Sequence, residues 1–84
     1  MPAKVEGTWQ MPQGELTLKQ DFQVLSGTLT SGDSRVPVLS GGLRGDQISF
    51  SAGGARYSGH VTSNGMSGTV TADGATSSWN ATRR

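Results

Sequence analysis

One histidine and six scattered carboxylates are the side chains in this chain best suited to acid–base chemistry. His60 is the single histidine, and it falls at an outward position of an alternating run over residues 56–62. A Ser-His-Asp triad would need a nucleophile elbow and an oxyanion-hole motif, and the sequence contains neither. We therefore interpret His60 as a solvated surface residue and predict that this domain has no catalytic residue and is not an enzyme.

The carboxylates favour structural roles over catalysis or metal binding. Most lie in or beside turn sequences, where Asp accepts local backbone hydrogen bonds. A glycosidase pair needs two carboxyls held across a cleft, and a zinc site needs several ligands in close spacing. We expect neither, and we expect no metal, from this set: Glu6, Glu15, Asp21, Asp33, Asp46 and Asp73.

The arginines could form a patch for anions or nucleic acid, or they could simply be solvated charges. Arg35 and Arg44 lie near the ends of one predicted strand, and Arg83 with Arg84 ends the sequence. A formal net charge of +1 is small for a nucleic-acid partner. Single-strand binding would also require exposed aromatic rings, whereas the alternation places nearly all of them inside. We favour solvated charges and expect no nucleic-acid partner.

Length and composition indicate one small folded domain over residues 1–84. Hydrophobic residues make up 32% and charged residues 15% of the chain, which has 13 glycines and no cysteine. The absence of cysteine excludes a disulfide-stapled secreted domain. No apolar run reaches the ~20 residues that a membrane helix needs, and the N-terminus lacks the apolar core of a signal peptide. We expect a cytoplasmic location with no membrane partner.

Apolar residues alternate with a period of two, which indicates half-buried strands and little or no helix. The pattern is clear over residues 15–19, 47–51, 56–62 and 78–82. Seven turn signals separate eight such runs, and Asn-Gly and Gly-Gly are strong hairpin marks. The signals fall at residues 11–14, 20–22, 31–34, 45–46, 53–54, 64–65 and 73–74. Consecutive hairpins predict an all-β, eight-stranded antiparallel up-and-down barrel, in which strand eight closes onto strand one. Pro37 lacks a ladder donor, so we expect the strand over residues 35–44 to be broken or bulged.

A short motif with a central glycine recurs at residues 25–29, 39–43, 57–61 and 66–70. Its glycines share the inward parity of the apolar residues on either side: Gly27, Gly41, Gly59 and Gly68. We expect these glycines to let the sheet coil tightly and to leave room for the large rings.

The predicted interior is almost wholly apolar. The inward set is Trp9, Met11, Leu16, Leu18, Leu25, Leu29, Val38 or Leu39, Leu43, Ile48, Phe50, Tyr57, Val61, Met66, Val70, Trp79 and Ala81. Tyr57 is its one obvious polar group, so we favour a filled core over a ligand cavity. If a ligand enters, it is small and apolar, and the candidate binding residues are Trp9, Phe50, Tyr57 and Trp79. Phe22 is the aromatic exception, in a turn at one rim, where it plugs the barrel or contacts a partner.

The residues Gly7-Thr8-Trp9 resemble the Gly-x-Trp signature of calycin barrels, the group that includes lipocalins and avidins. In that group an Arg or Lys from the last strand lies over the first-strand Trp and closes one end of the barrel. The resemblance implies that Arg83 closes this barrel over Trp9. A guanidinium over an indole contributes roughly 0.5 to 2 kcal/mol.

A second resemblance covers nearly the whole chain. Residues 7–9, 14–18, 45–50, 57–59 and 79–83 resemble a C-terminal domain appended to some bacterial class I S-adenosylmethionine-dependent methyltransferases. It implies a non-catalytic accessory domain, excised from a longer chain, that packs on the catalytic domain of its parent, self-associates, or holds a substrate or partner. The chain has no Gly-rich strand-to-helix turn, so S-adenosylmethionine would bind only in the parent, and this domain has no cofactor. The alternative is a stand-alone calycin-like barrel that binds a small apolar molecule.

Overall fold

The computed structural model describes residues 4–12, 14–63 and 65–83. Within them the chain forms eight antiparallel strands joined by short turns, with no helix. The strands are β1 Gly7–Met11, β2 Gly14–Asp21, β3 Val24–Ser31, β4 Ser34–Arg44, β5 Gln47–Ala52, β6 Ala55–Val61, β7 Gly65–Ala72 and β8 Ala75–Arg83.

Each strand pairs with the next in sequence, and β8 pairs with β1, so the sheet closes into an up-and-down barrel. This confirms the predicted all-β fold and strand order. At one end of the barrel, here called the terminal end, lie residues 4–6 and the turns at Phe22 and Gly45. The distal end carries the turns at Gly32, Gly53 and Gly74. Two predicted turns include residues outside the described ranges, Gln13 and Asn64, and Arg84 also lies outside them.

The interior is built from the alternating residues, as predicted from their period. The buried apolar side chains are Val5, Trp9, Met11, Leu16, Leu18, Leu25, Leu29, Val38, Leu43, Ile48, Phe50, Ala52, Tyr57, Val61, Met66, Trp79 and Ala81. Val38 is the inward residue of its pair and Leu39 is exposed, whereas Val70 is only partly buried. Val5 and Ala52 join the core without having been predicted. Within the described residues, no polar or charged residue is fully buried.

Strand β4 is bulged, as predicted, but the bulge lies away from the proline. Pro37 stays in register opposite Thr28 of β3. The register instead shifts between Leu39 and Gly42, where Ser40 has a φ of 52°. Pro37 is exposed and fits a β conformation, since its ring fixes φ without forcing a bend. The bulge arises at Ser40, where the backbone adopts a left-handed conformation.

The four central glycines lie on the inward face, as predicted, and the space beside two of them shows why glycine is needed. Gly27 is opposite Leu18, and Gly68 is opposite both Gly59 and Trp79. A Cβ on Gly27 would overlap the Thr17 carbonyl, and a Cβ on Gly68 would overlap the Ser58 carbonyl and the Gly59 Cα. Neighbouring backbone occupies the place of the missing side chain. These glycines therefore allow strands to approach closely and coil.

Candidate functional site

Three rings contact one another inside the barrel. Phe50 and Tyr57, opposite each other on β5 and β6, stack with centroids 4.7 Å apart and planes 8° apart. Trp79 of β8 meets both edge-on, at 5.9 Å from Phe50 and 5.6 Å from Tyr57. Offset stacking and edge-to-face contacts are the favoured aromatic geometries. These three of the four predicted ligand-binding residues therefore fill space with one another.

The Trp79 indole is fixed by its polar atom as well as by packing. Nε1 donates to the carbonyl oxygens of Ser58 and Thr69, each at 3.0 Å. Trp79 is opposite Gly68 on β7, and Ser58 lies one strand further, on β6. The indole therefore crosses β7 at Gly68 to reach β6. The small residue at this point leaves a path for the ring, in addition to letting the strands approach.

Tyr57 is the polar residue that sequence reasoning assigned to a ligand. Its side chain is buried. Among the described residues its hydroxyl has no hydrogen-bond partner, yet no buried side-chain N or O of this part of the chain is left without one. It follows that the hydroxyl reaches water. Tyr57 pairs with Phe50 two residues from the Ala52–Ala55 pair that flanks the turn at Gly53.

Trp9 lies apart from that cluster, in a set of contacts that closes the terminal end. The Arg83 guanidinium carbon is 4.3 Å from the Trp9 ring centroid, and Trp9 Nε1 donates to the Val5 carbonyl at 2.9 Å. Arg83 also donates to the carbonyls of Glu6 at 3.0 Å and Lys4 at 2.9 Å. Residues 4–6 are thereby held across this end. The Val5 contribution was missed because an isolated Val before the first strand shows no alternation.

Among the described residues, three large apolar side chains are exposed, and their positions near the β2–β3 turn and on β3 and β4 are here called the Phe22 surface: Phe22, Val24 and Leu39. Their exposed fractions are 84%, 64% and 57%. Val24 pairs with Gly42 and Leu25 with Gly41, so Leu39 of β4 lies diagonally across from Val24. Phe22 precedes β3 in the adjoining turn. Its exposure excludes the plugging role that was one of its two predicted alternatives.

The sequence does contain a signal for this surface. Residues 24–25 and 38–39 are apolar doublets. Because consecutive strand residues face opposite sides, one member of each doublet must point to solvent. Val24 and Leu39 are the exposed members of the two doublets, and Leu25 and Val38 are the buried ones.

A recess of about 620 Å³ adjoins Phe22 at the terminal end, lined by Lys4, Glu6, Gln20, Phe22 and Arg83. Gln20 connects its two sides. The side-chain carbonyl of Gln20 accepts from the Val5 N–H at 2.8 Å, and its amide donates to the Phe22 carbonyl at 2.9 Å. The Phe22 turn is thus tied to the segment where the described chain begins.

A second recess, of about 430 Å³, lies on the outside of β4–β7 and is lined by polar groups. It includes Arg44, Ser49, Ser58, His60 and Thr69. Their side chains point outward in two rows across the strands. The backbone of Ile48, Gly59 and Gly68 lies between the two rows.

His60 is solvated, as its parity indicated. Its Nδ1 is 3.9 Å from the Asp46 carboxylate, and the two side chains are 63% and 69% exposed. Exposed ion pairs of this kind are worth little. The described residues contain no group of three or more His, Asp or Glu side chains placed to hold a metal ion.

No protein family, curated protein or solved structure matches this chain. Among the described residues, no helix is long and apolar enough to span a bilayer.

Proposed function

We propose that this chain is a non-catalytic accessory barrel that binds a protein partner through the Phe22 surface. The observation that carries the proposal is the contrast in exposure. Phe22, Val24 and Leu39 are more than half exposed, although the other large apolar side chains of residues 4–83 that the structure describes are wholly or partly buried. Contiguous exposed apolar groups of this kind mark protein contacts when they exceed a few hundred Å². Three large side chains expose an area of about that order.

The backbone conformation of Phe22 supports a role in binding, because this conformation does not favour the stability of the fold. Phe22 has a φ of 58°, in the left-handed region that costs a non-glycine residue roughly 1–2 kcal/mol. The ring gains almost no burial in return, because it is 84% exposed. A large aromatic residue kept in a strained turn and pointed at solvent is better suited to a partner than to this fold.

We further propose that the partner is the catalytic domain of a bacterial class I S-adenosylmethionine-dependent methyltransferase. The support is the resemblance over Gly7-Thr8-Trp9 and the later segments, together with the position of Lys4. Lys4 lines the same recess as Phe22, so a domain preceding it in a longer chain would be tethered beside the Phe22 surface. In this proposal S-adenosylmethionine binds to the catalytic domain, in the cytoplasm, and the barrel has no cofactor.

The outer surface is preferred to the interior as the binding site. A ligand among Phe50, Tyr57 and Trp79 would have to separate rings that are already in contact, and would have to break the indole hydrogen bonds. In such a packed site, the contacts that a small apolar ligand makes are hardly more favourable than the ring contacts that it replaces. These contacts weigh against the alternative of a stand-alone ligand-binding barrel.

The experiment begins with the genomic reading frame that contains this sequence. The upstream catalytic domain is expressed separately and titrated by calorimetry with the isolated barrel, carrying either its own residues or Phe22→Ser with Leu39→Ser. We expect the double variant to bind at least tenfold more weakly, which corresponds to about 1.4 kcal/mol of lost apolar contact. Ser58→Ala with Thr69→Ala, on a different outer face, is the matched control and should bind as the unaltered barrel does.

Two results would contradict the proposal at different levels. A reading frame without a methyltransferase catalytic domain overturns the proposed parent. Equal binding by the double variant and the unaltered barrel overturns the Phe22 surface as the contact site.

A further inference from the structure

The two sides of β8 are paired to very different extents. On one side, every residue from Ala75 to Thr82 is in register with a residue of β7. On the other side, only Thr82 and Arg83 are in register with β1, opposite Gln10 and Trp9. Since β1 has five residues and β8 has nine, no strand among the described residues pairs with residues 75–80 on the side that faces away from β7. This segment, here called the β8 edge, leaves the backbone groups that face away from β7 without a strand partner in the described residues.

The β8 edge lacks the features by which proteins usually block strand addition. Residues 75–80 read Ala-Thr-Ser-Ser-Trp-Asn, with no charged residue and no proline. All but Trp79 are exposed. Natural edges are generally protected by Lys, Pro, a bulge or a covering loop. An extended edge of about 20 Å without these features is open to another strand.

A second copy of this chain fits the β8 edge poorly, for a reason that lies in the register. If two copies paired antiparallel with Ser78 opposite Ser78, residue 74 of one copy would lie opposite Thr82 of the other. That place is already held by Gln10 of β1. The β7–β8 turn would therefore collide with β1. A peptide with free ends has no such turn and can use the whole edge.

We propose that the β8 edge binds an extended peptide, which adds to the barrel as an antiparallel strand. Backbone hydrogen bonds supply the affinity, as in other cases of strand addition. Peptide residues on the outer side would lie beside Thr76 and Ser78, and those on the inner side beside Ser77 and Trp79. Alternating hydroxyl-bearing and β-branched apolar residues fit these neighbours.

This site is distinct from the Phe22 surface. In the closed strand order, β8 is four strands from β4, on the other side of the barrel. Neither site depends on the other, and failure of one leaves the other standing.

The experiment uses the peptide acetyl-Lys-Thr-Val-Thr-Val-Thr-Lys-amide and the ¹⁵N-labelled barrel in solution. We expect saturable amide shifts confined to residues 75–80 and their β7 partners, with a Kd on the order of 1 mM for so small a contact. Amide exchange at the β8 edge should slow at least severalfold at saturation. The control peptide has the same sequence with alternate backbone nitrogens methylated, so that it cannot donate to the edge.

Two proline variants separate edge pairing from adhesion of side chains. Ser77 and Ser78 are consecutive, so one of them directs its N–H to β7 and the other to the free edge. Proline at the edge-facing position leaves the β7 ladder intact, whereas proline at the other position removes a ladder donor. Amide spectra identify the variant that keeps the fold, and that variant should bind the peptide at least fivefold more weakly.

Loss of binding with both the methylated peptide and the folded proline variant supports strand addition at the β8 edge. No saturable shift at millimolar peptide, equal binding of the methylated control, unaltered binding by the proline variant, or shifts centred on Phe22 would each overturn it.

Discussion

Arg83 links β8 to the segment before β1 through one ring contact and two hydrogen bonds. Its guanidinium lies 4.3 Å from the Trp9 ring centroid and donates to the carbonyls of Lys4 and Glu6. We expect Arg83→Ala to lower the free energy of unfolding by about 1–3 kcal/mol, since it removes one cation–π contact and two charge-assisted hydrogen bonds. Chemical denaturation followed by tryptophan fluorescence measures this loss.

Two further variants show whether the loss belongs to this geometry. Arg83→Lys keeps the charge but not the planar fork, so it should recover only part of the stability. Arg44→Ala removes an exposed arginine elsewhere and should change the free energy by no more than about 0.5 kcal/mol. A loss no larger for Arg83→Ala than for Arg44→Ala would show that these contacts do not hold the terminal end.

Phe22 is a residue at which we expect stability and function to oppose each other. Phe22→Gly removes the strain of a φ of 58° and sacrifices almost no burial. We expect the free energy of unfolding to rise by about 0.5–1 kcal/mol, after allowing for the greater entropy of glycine in the unfolded chain. Thermal or urea unfolding tests this.

Val24→Gly is the matched control, because Val24 is also exposed but lies in a strand. It should lower the stability by a similar amount. A destabilising Phe22→Gly would mean that the ring packs against the barrel, which would remove one support for the Phe22 surface.

Gly68 and Gly42 are both strand glycines, but the space beside them differs. A Cβ on Gly68 would overlap the backbone of Ser58 and Gly59, whereas a Cβ on Gly42 would lie an ordinary 3.6 Å from the Gln23 carbonyl. We expect Gly68→Ala to cost about 3 kcal/mol or more, and Gly42→Ala to change the stability by less than about 1 kcal/mol. Urea denaturation compares the two. Equal effects would contradict close strand approach as the reason for glycine at position 68.

Among the strands, the β1–β8 seam is the least extensively paired. It has two register pairs, whereas β6 and β7 share six. Local opening should therefore start at β1. We expect native-state hydrogen exchange of β1 amides to be at least tenfold faster than that of β6 and β7 amides. Uniform protection around the barrel would show that the seam is as stable as the rest.

At the level of the strands, alternation and turn chemistry were sufficient to predict the order and number of elements. Gly-Gly at residues 53–54 and Asp-Gly at 73–74 do form the expected turns. The position of the β4 bulge could not be predicted, because Ser40 is not a residue type that favours a left-handed φ. Pro37 led to the correct expectation of a bulged β4 but does not itself cause the bulge, since a proline can remain in a strand where its missing donor is not needed.

The interior of the whole molecule was predictable and its outer contacts were not. Parity identified nearly every core residue, because burial follows the side-chain period. The β8 edge depends on the relative lengths of β1 and β8, which come together only when the barrel closes. The joint contacts of Lys4, Glu6 and Arg83 likewise require both ends of the chain to meet.

The whole barrel has radius of gyration 11.5 Å and extents of 33 × 25 × 22 Å. In so small a closed sheet, rings such as those of Trp79 and Phe50 fill the space between the strands. The two proposed recognition sites, the Phe22 surface and the β8 edge, accordingly lie on the outside of the barrel.

An NMR titration with small apolar probes tests most directly whether ligands contact the outer surface of the barrel and do not enter its interior. The ¹⁵N- and methyl-labelled barrel is titrated with indole and with decanoate, and the two tryptophan indole signals are followed separately. We predict that shifts are confined to Phe22, Val24, Leu39 and their immediate neighbours. Saturable shifts of the Trp79 indole, together with the Phe50 and Tyr57 signals, would show that the interior admits a ligand and would contradict the account.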